Sequence, residues 1–326
     1  VMSAKSPVDP HRILLDGRGG ARHLSPDEVE SWSPEQGVLW VHLDYTNPDD
    51  RLWLEHRSGL DPLIVEALLA EETRPRATSV GNGLLIALRG VNLTPGAEPD
   101  DMVAIRLWVD RQRIISTQGR RMLSVADVVE RLMAGRGPVN AAECLVELVD
   151  RLVGRMSDTV DQFEDRVAEL EDEVLEEGGA VMRSGLANLR RQAITLRRYL
   201  APQREALGRL GSELAQWLDP NGQLRLREVS DRLIRHIEDL DAVRERAAVV
   251  QEEVLSRMSE QMNSRMYVLS VVAAIFLPLG FLTGLLGINV GGIPGEDYPL
   301  AFEIFIGMLV LVVILQVLVF RWRRWL

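Results

Sequence analysis

Two apolar runs interrupt an otherwise regular mixture of polar and apolar positions. The first, MYVLSVVAAIFLPLGFLTGLLGI, covers residues 266–288; the second, LAFEIFIGMLVLVVILQVLVF, covers 300–320. At 1.5 Å per helical residue the first reaches about 34 Å, enough to cross a hydrocarbon core of about 30 Å. Both read as membrane spans rather than buried core helices, because they are long, adjacent and flanked by charge. Arg257 and Arg265 precede the first, and Arg321, Arg323 and Arg324 follow the second. The link between them has no basic residue, so the positive-inside rule places both termini in the cytoplasm and the link outside. Tyr267, Trp322 and Trp325 then fall at the inner interface and Tyr298 at the outer one.

Upstream the pattern is that of a soluble chain. GVLWVHLDY (37–45) and GLLIALRGVNL (83–93) are short apolar runs between turn residues. DDMVAIRLWVD (100–110) alternates, and RQRIIST (111–117) follows closely enough for a hairpin. SPDEVESW and DPLIVEALLAEE read as short capped helices. These strands and helices over residues 12–135 predict an α/β domain. From Asn140 the period becomes helical: Val160, Phe163, Val167, Leu170 and Val174 repeat at alternating steps of three and four, as in a coiled-coil hairpin. EEGG (176–179) breaks that helix, a second is expected from about Val181 to Trp217 with a proline, Pro202, inside it, and DPNG (219–222) is expected to end it. From Gln223 neither Gly nor Pro occurs before Pro278. This predicts one helix of roughly 100 Å running from the soluble part through the membrane.

Charge sharpens this division. The chain of 326 residues carries a formal −11, yet between Arg265 and Arg321 there is no Lys, Arg or His, and the acids there are Glu296, Asp297 and Glu303. The amino terminus has no apolar core of a signal peptide, so the soluble part is expected in the cytoplasm. No nucleic-acid partner is expected. The first hairpin helix has ten acids and one base, Arg166, between Ser157 and Gly178; the second carries Arg183, Arg190, Arg191, Arg197, Arg198 and Arg204. The plain expectation is salt bridging between the two helices; the sharper one is a negative surface that concentrates cations near a pore mouth. Cys144 is the lone cysteine, and no two of the five histidines are spaced as a helical metal pair. LDGRGG (15–20) lacks the Lys-Ser/Thr of a nucleotide loop, and no hydrolase motif is visible, so an enzyme is not expected.

Two helices cannot enclose a pore, so any transport requires several copies. Asn263, Met266, Ser270, Ala273, Leu277, Gly280, Gly284 and Gly287 recur at steps of three or four, a stripe of mostly small or polar groups on the first span. Such a stripe serves either a pore lining or close helix packing, and GFLTG is a small-xxx-small motif. Pro278 removes a backbone hydrogen bond, which is tolerable where the freed carbonyl meets water or a neighbour. With no charge on the stripe, an ion would pass with most of its hydration shell retained. Met266 and Leu277 would form apolar constrictions. A membrane-anchored scaffold or signalling protein is the reading from another class; it needs neither the stripe nor the loop that follows.

That loop, GLLGINVGGIPG (284–295), completes a pattern. The long helix, FLPLGFLTGLLGIN, the outside loop, the second span and the basic RWRRWL end together resemble the CorA superfamily of divalent-cation transporters. Where typical members carry Gly-Met-Asn, this chain has Gly287-Ile288-Asn289. With LDGRGG, EETRPR (71–76) and RRYLAPQRE (197–205), that departure is similar to the ZntB-type zinc-transporting branch.

The resemblance implies an α+β membrane protein assembled as a homopentameric funnel in the bacterial inner membrane. Its parts would be a cytoplasmic α/β domain (1–139), a helical hairpin (140–222), a stalk helix (223–265), a pore-lining span (266–288), a periplasmic loop (289–299), a second span (300–320) and a basic tail (321–326). It implies transport of Zn²⁺ as cargo, not as a cofactor, with Cd²⁺, Ni²⁺ or Co²⁺ as alternatives and with proton coupling an option. A CorA-type Mg²⁺/Co²⁺ channel is the alternative. Five copies of Asn289 would ring the outer mouth; as a residue it also suits a helix C-cap. Glu296 and Asp297 would form an acidic collar outside it, Glu303 is read as interfacial, and Glu228 is a loose candidate for a regulatory ion site.

Overall fold

The computed structural model describes residues 10–176, 180–287 and 298–323, with side chains from 174 to 181 left aside. The chain divides into two compact units, residues 1–252 and 253–326. The first contains a seven-stranded mixed sheet. Its strands are β1 (His11–Leu15), β2 (Ala21–His23), β3 (Val38–Asp44), β4 (Arg76–Val80), β5 (Gly83–Val91), β6 (Met102–Val109) and β7 (Arg113–Gln118), in the spatial order β2-β1-β3-β7-β6-β5-β4. β3 and β7 pair in parallel; every other neighbouring pair is antiparallel.

The central strands are apolar on both sides because both faces of the sheet are covered. Val41, Ile115, Trp108 and Leu85 lie in register across one face and pack with Leu54 of α2 (Pro48–His56) and Leu68 of α3 (Pro62–Leu69). His42, Ser116, Leu107 and Ile86 lie in register across the other. On that side Gly90 faces Leu152 of α5 (Ala141–Gly154), whose neighbour is α4 (Leu123–Met133). The helices expected at SPDEVESW and DPLIVEALLAEE are α1 (Pro26–Glu30) and α3. Ser25 caps the first through a reciprocal box with Glu28, and Asp61 caps the second by accepting from the Leu63 amide.

LDGRGG is a hairpin turn. Asp16 accepts from the amides of Arg18 and Gly20 at 2.7 and 2.9 Å, and Gly17 and Gly19 sit at φ of 72° and 94°. Those amides, first that of Arg18 and then that of Gly20, hold the Asp16 carboxyl below the usual range.

Three long helices follow: α6 (Ser157–Glu176), α7 (Ala180–Glu213) and α8 (Pro220–Leu286). Val160, Phe163, Val167 and Leu170 are buried along α6, as are Leu189, Ala193, Leu196 and Leu200 along α7 and Leu226, Val229, Leu233 and Ile237 along α8. Pro202 lies inside α7 without ending it. DPNG does not close α7, which stops at Glu213 before a 3₁₀ turn; it opens α8, with the Asp219 side chain accepting from the Gly222 amide. The proline occupies the first helical position, where its missing N–H costs nothing.

The expected pairing of α6 acids with α7 arginines is also corrected. Among the described residues, the ion pairs that α6 and α7 make with another helix reach α8 instead: Glu171 with Arg246, and Arg197 with Asp241 at 2.7 Å. Arg166 pairs within α6 with Glu169. With apolar contacts filling the α6–α7 seam, charges lie on its flanks, where the third helix is within reach.

Candidate cation pathway

The second unit holds the outer part of α8 and α9 (Ala301–Trp322), the two helices long and apolar enough to cross a membrane. Their mutual face is defined by partial burial. On α8 it comprises Val271, Ala274, Ile275, Pro278, Leu279 and Leu282; on α9, Ala301, Phe305, Leu309, Val312, Val313, Gln316 and Phe320. Both sets follow helical spacing of three and four, so each helix gives its partner one continuous strip.

The residues singled out from the sequence lie on the other side of α8. Asn263, Met266, Ser270, Ala273, Leu277, Gly280 and Gly284 are all exposed in the single chain. At 100° per residue their strip is centred roughly 140° from the one that meets α9. Leu277 is 74% exposed and Met266 62%, and Phe276, Phe281 and Phe302 of the same two spans are exposed to a like degree. A Cβ built on Gly280 or Gly284 meets open space. Gly287 follows the helix end; its amide donates to the Thr283 carbonyl at 2.9 Å, and a Cβ there would lie 2.7 Å from that oxygen. Glycine is therefore required at 287 by backbone approach alone. Ile288, Asn289, Glu296 and Asp297 lie outside the described residues.

Two hydroxyls of this segment are already engaged. Ser270 Oγ donates to the Met266 carbonyl at 2.8 Å, and Thr283 Oγ1 to the Leu279 carbonyl at 2.9 Å. Both keep lone pairs free to accept from water. Glu303 lies in the first turn of α9, where the helix dipole favours a carboxylate. Among the described residues no group of three or more His, Cys, Asp or Glu side chains is placed to hold a metal ion. Cys144 is buried, and burial pushes its thiol up. What the described part of α8 presents along its stripe is one carboxamide, two large apolar side chains, one hydroxyl and small residues, none of them charged.

Two features escaped sequence reasoning. Gln316 Nε2 donates to the Ala274 carbonyl at 3.1 Å across the helix pair; a lone amide in an apolar run was the available signal. In the first unit His11, His23 and His42 come together, the ring of His11 lying 6.1 Å from each of the others. Helical spacing could not find them, because strand pairing brings them together: His11 faces His42, and His23 faces Ile13. His42 is fully buried, with Nδ1 2.7 Å from Ser116 Oγ.

A mixed-sheet domain, long helices and two membrane-spanning helices, one with an uncharged exposed stripe, define a membrane protein of the channel and transporter class. The comparisons agree. Residues 35–324 match the family described as CorA-like Mg²⁺ transporter protein. The chain is 41% identical over 300 residues to the zinc transport protein ZntB of Yersinia enterocolitica, covering 92% of this chain and 90% of that one. It is 40% identical over 323 residues to the divalent cation transporter CmaX of Pseudomonas aeruginosa, covering 96% and 95%. The structure of the full-length CmaX protein matches with a TM-score of 0.85 at 39% identity, over 98% of this chain and 99% of that one. The chain belongs to the CorA-like transporter family.

Proposed function

We propose that this protein moves divalent cations across the bacterial inner membrane, with Zn²⁺ as its main substrate and Cd²⁺, Ni²⁺ and Co²⁺ as alternative cargo. The observation that carries the reading is the placement of the α8 stripe: uncharged, exposed, and turned away from the second span. Zinc is preferred over magnesium because relatives named as zinc transport proteins align with nearly the whole chain at about 40% identity. The ion is cargo and no cofactor is required; a transporter family is not an enzyme class.

Two helices enclose no channel, so the pore belongs to an assembly, and five copies is the number the reading adopts. The stripe from Asn263 to Gly287 lines it, with Met266 and Leu277 as apolar rings. Outside, Gly287-Ile288-Asn289 ends the pore helix, and five Asn289 carboxamides accept hydrogen bonds from waters of the incoming ion. Glu296 and Asp297 concentrate cations at that mouth. Both termini are cytoplasmic, and residues 289–299 face the periplasm.

The test is Zn²⁺ entry into dye-loaded proteoliposomes, normalised to assembled protein, for the unaltered chain and for Asn289→Ala. A scaffold gives no flux at all. Each lost contact to a neutral acceptor is worth roughly 0.5–1.5 kcal/mol, so loss of a whole ring lowers capture by more than about tenfold. Normal flux per assembly in Asn289→Ala would leave Asn289 as a helix cap only. A native mass of monomer or dimer in detergent would contradict the assembly.

A further inference from the structure

Gln316 is the one polar side chain of α9 between Glu303 and Arg321. It lies on the strip that meets α8, among Val312, Val313 and Phe320. Its bonding partner explains its presence. In an α-helix the amide of residue 278 donates to the carbonyl of residue 274. Residue 278 is proline, which has no N–H and whose ring pushes against that same carbonyl. The Ala274 carbonyl is thereby left without the donor that a regular helix would give it, at a depth where water is scarce. Gln316 Nε2 donates to that oxygen at 3.1 Å. The amide orientation follows from chemistry, since a carbonyl can accept only from the nitrogen end.

We infer that Gln316 is a positioning residue for cation passage: it takes the place of the hydrogen bond that Pro278 removes and so fixes the turn of α8 that carries Ala273 and Leu277. This rests on the reading of α8 as the pore helix. Ala274 and Pro278 lie on the α9 side, while Ala273 and Leu277, their immediate neighbours, lie on the exposed stripe. Tying down the carbonyl of residue 274 therefore sets the direction in which Leu277 points. Proline gives the helix a place to bend, and the amide on the neighbouring span chooses one bend.

The other end of the side chain makes the inference sharp. Gln316 Oε1 is buried and has no hydrogen-bond partner within the described residues. Gln316→Leu removes an unfavourable acceptor together with a favourable donor. If the bond to Ala274 carried nothing, the apolar replacement would leave the protein as stable as before or more so. If the inference holds, the effect depends on residue 278, because Pro278→Ala restores an N–H for the Ala274 carbonyl.

The experiment is a double-mutant cycle on the full chain: Gln316→Leu, Pro278→Ala and both together, read as melting temperature in detergent and as Zn²⁺ flux per assembled protein in proteoliposomes. With Pro278 present, Gln316→Leu is expected to lower the melting temperature and cut flux about fivefold. In the Pro278→Ala background, the same change is expected to leave or raise the melting temperature and to alter flux less than about twofold. Equal effects in the two backgrounds would overturn the link between Gln316 and the Ala274 carbonyl. Coupling in melting alone, with equal losses of flux, would overturn the positioning role and leave a purely structural bond. An unaltered protein that passes no divalent cation would overturn the transport reading and the positioning role with it, while the melting cycle would still report on the bond.

Discussion

Arg225, in the second turn of α8, lies 2.5 Å from the carboxylate of Glu147 on α5, and the Glu147 side chain is only 3% exposed. The same guanidinium lies 2.7 Å from Asp150, which also meets Arg232 at 2.9 Å. Arg131 and Arg151 approach Glu147 at 3.3 and 3.0 Å. A buried carboxylate is costly unless surrounded in this way. Burial works to raise the Asp150 carboxyl, but the bonds from Arg225 and Arg232 outweigh it and hold the group below the usual range. The start of the long helix is thus fastened to α5 beside the sheet by charge.

Arg225→Ala takes a partner from both acids at once. Glu147 keeps two arginines and Arg225 is 43% exposed, so solvent and neighbours offset part of the loss. The expected cost is about 1–3 kcal/mol. Arg166→Ala, which breaks the exposed pair with Glu169, should cost less than about 0.5 kcal/mol. Chemical denaturation of the first unit's sheet, followed by tryptophan fluorescence in the full chain, compares the two; equal effects would contradict the anchoring role of Arg225.

Acid should loosen the sheet through His42. Burial, joined by the charge of His11 and opposed by Gln118, lowers its pKa from 6.5 to about 3. The folded state therefore holds the ring neutral while the unfolded chain protonates it near pH 6.5. The stability tied to the neutral ring is full above about pH 6.5 and falls towards pH 3, by up to about 1.4 kcal/mol per unit. His236, also lowered by burial, acts in the same direction. His42→Asn, which keeps a polar atom near Ser116 without titrating, should flatten the fall in melting temperature between pH 7 and pH 5. Parallel curves for the two proteins would rule out His42 as a source of that slope.

Leu277 is expected to close the resting pore by excluding water. Leu277→Ser should raise ion leak across planar bilayers in the absence of Zn²⁺, with assembly unchanged. An unaltered leak would remove Leu277 from the gate.

Legibility in the sequence followed the strength of each local pattern. The spans, β3, β5, β6, β7 and the α6 seam were readable because burial imposes one clear period on them. β2 and β4 were not: ARH and RATSV are short edge strands, and β4 buries only Ala77. α4 was passed over although Val125, Val128, Val129 and Leu132 recur at helical spacing. The partners of the α6 and α7 charges were misjudged because sequence order suggests the neighbouring helix, whereas the third one competes. The stripe on α8 was visible as spacing; its placement opposite α9 required the second helix. Gln316 and Pro278 are far apart in sequence, and only packing shows that the amide of one serves the carbonyl freed by the other.

If cations pass along the exposed strip of α8, a thiol placed on that strip must meet them. Cys144 is buried and its thiol is pushed up, so the native chain offers no reactive background. Ala273→Cys places a thiol on the strip; Ile275→Cys places one on the side that meets α9, about 200° round the helix. Zn²⁺ flux in proteoliposomes is measured before and after a membrane-impermeant cationic thiol reagent. The reagent is expected to abolish flux through Ala273→Cys and to leave Ile275→Cys as it was. Block of Ile275→Cys alone, or equal insensitivity of both in a protein that transports, would place the pathway elsewhere.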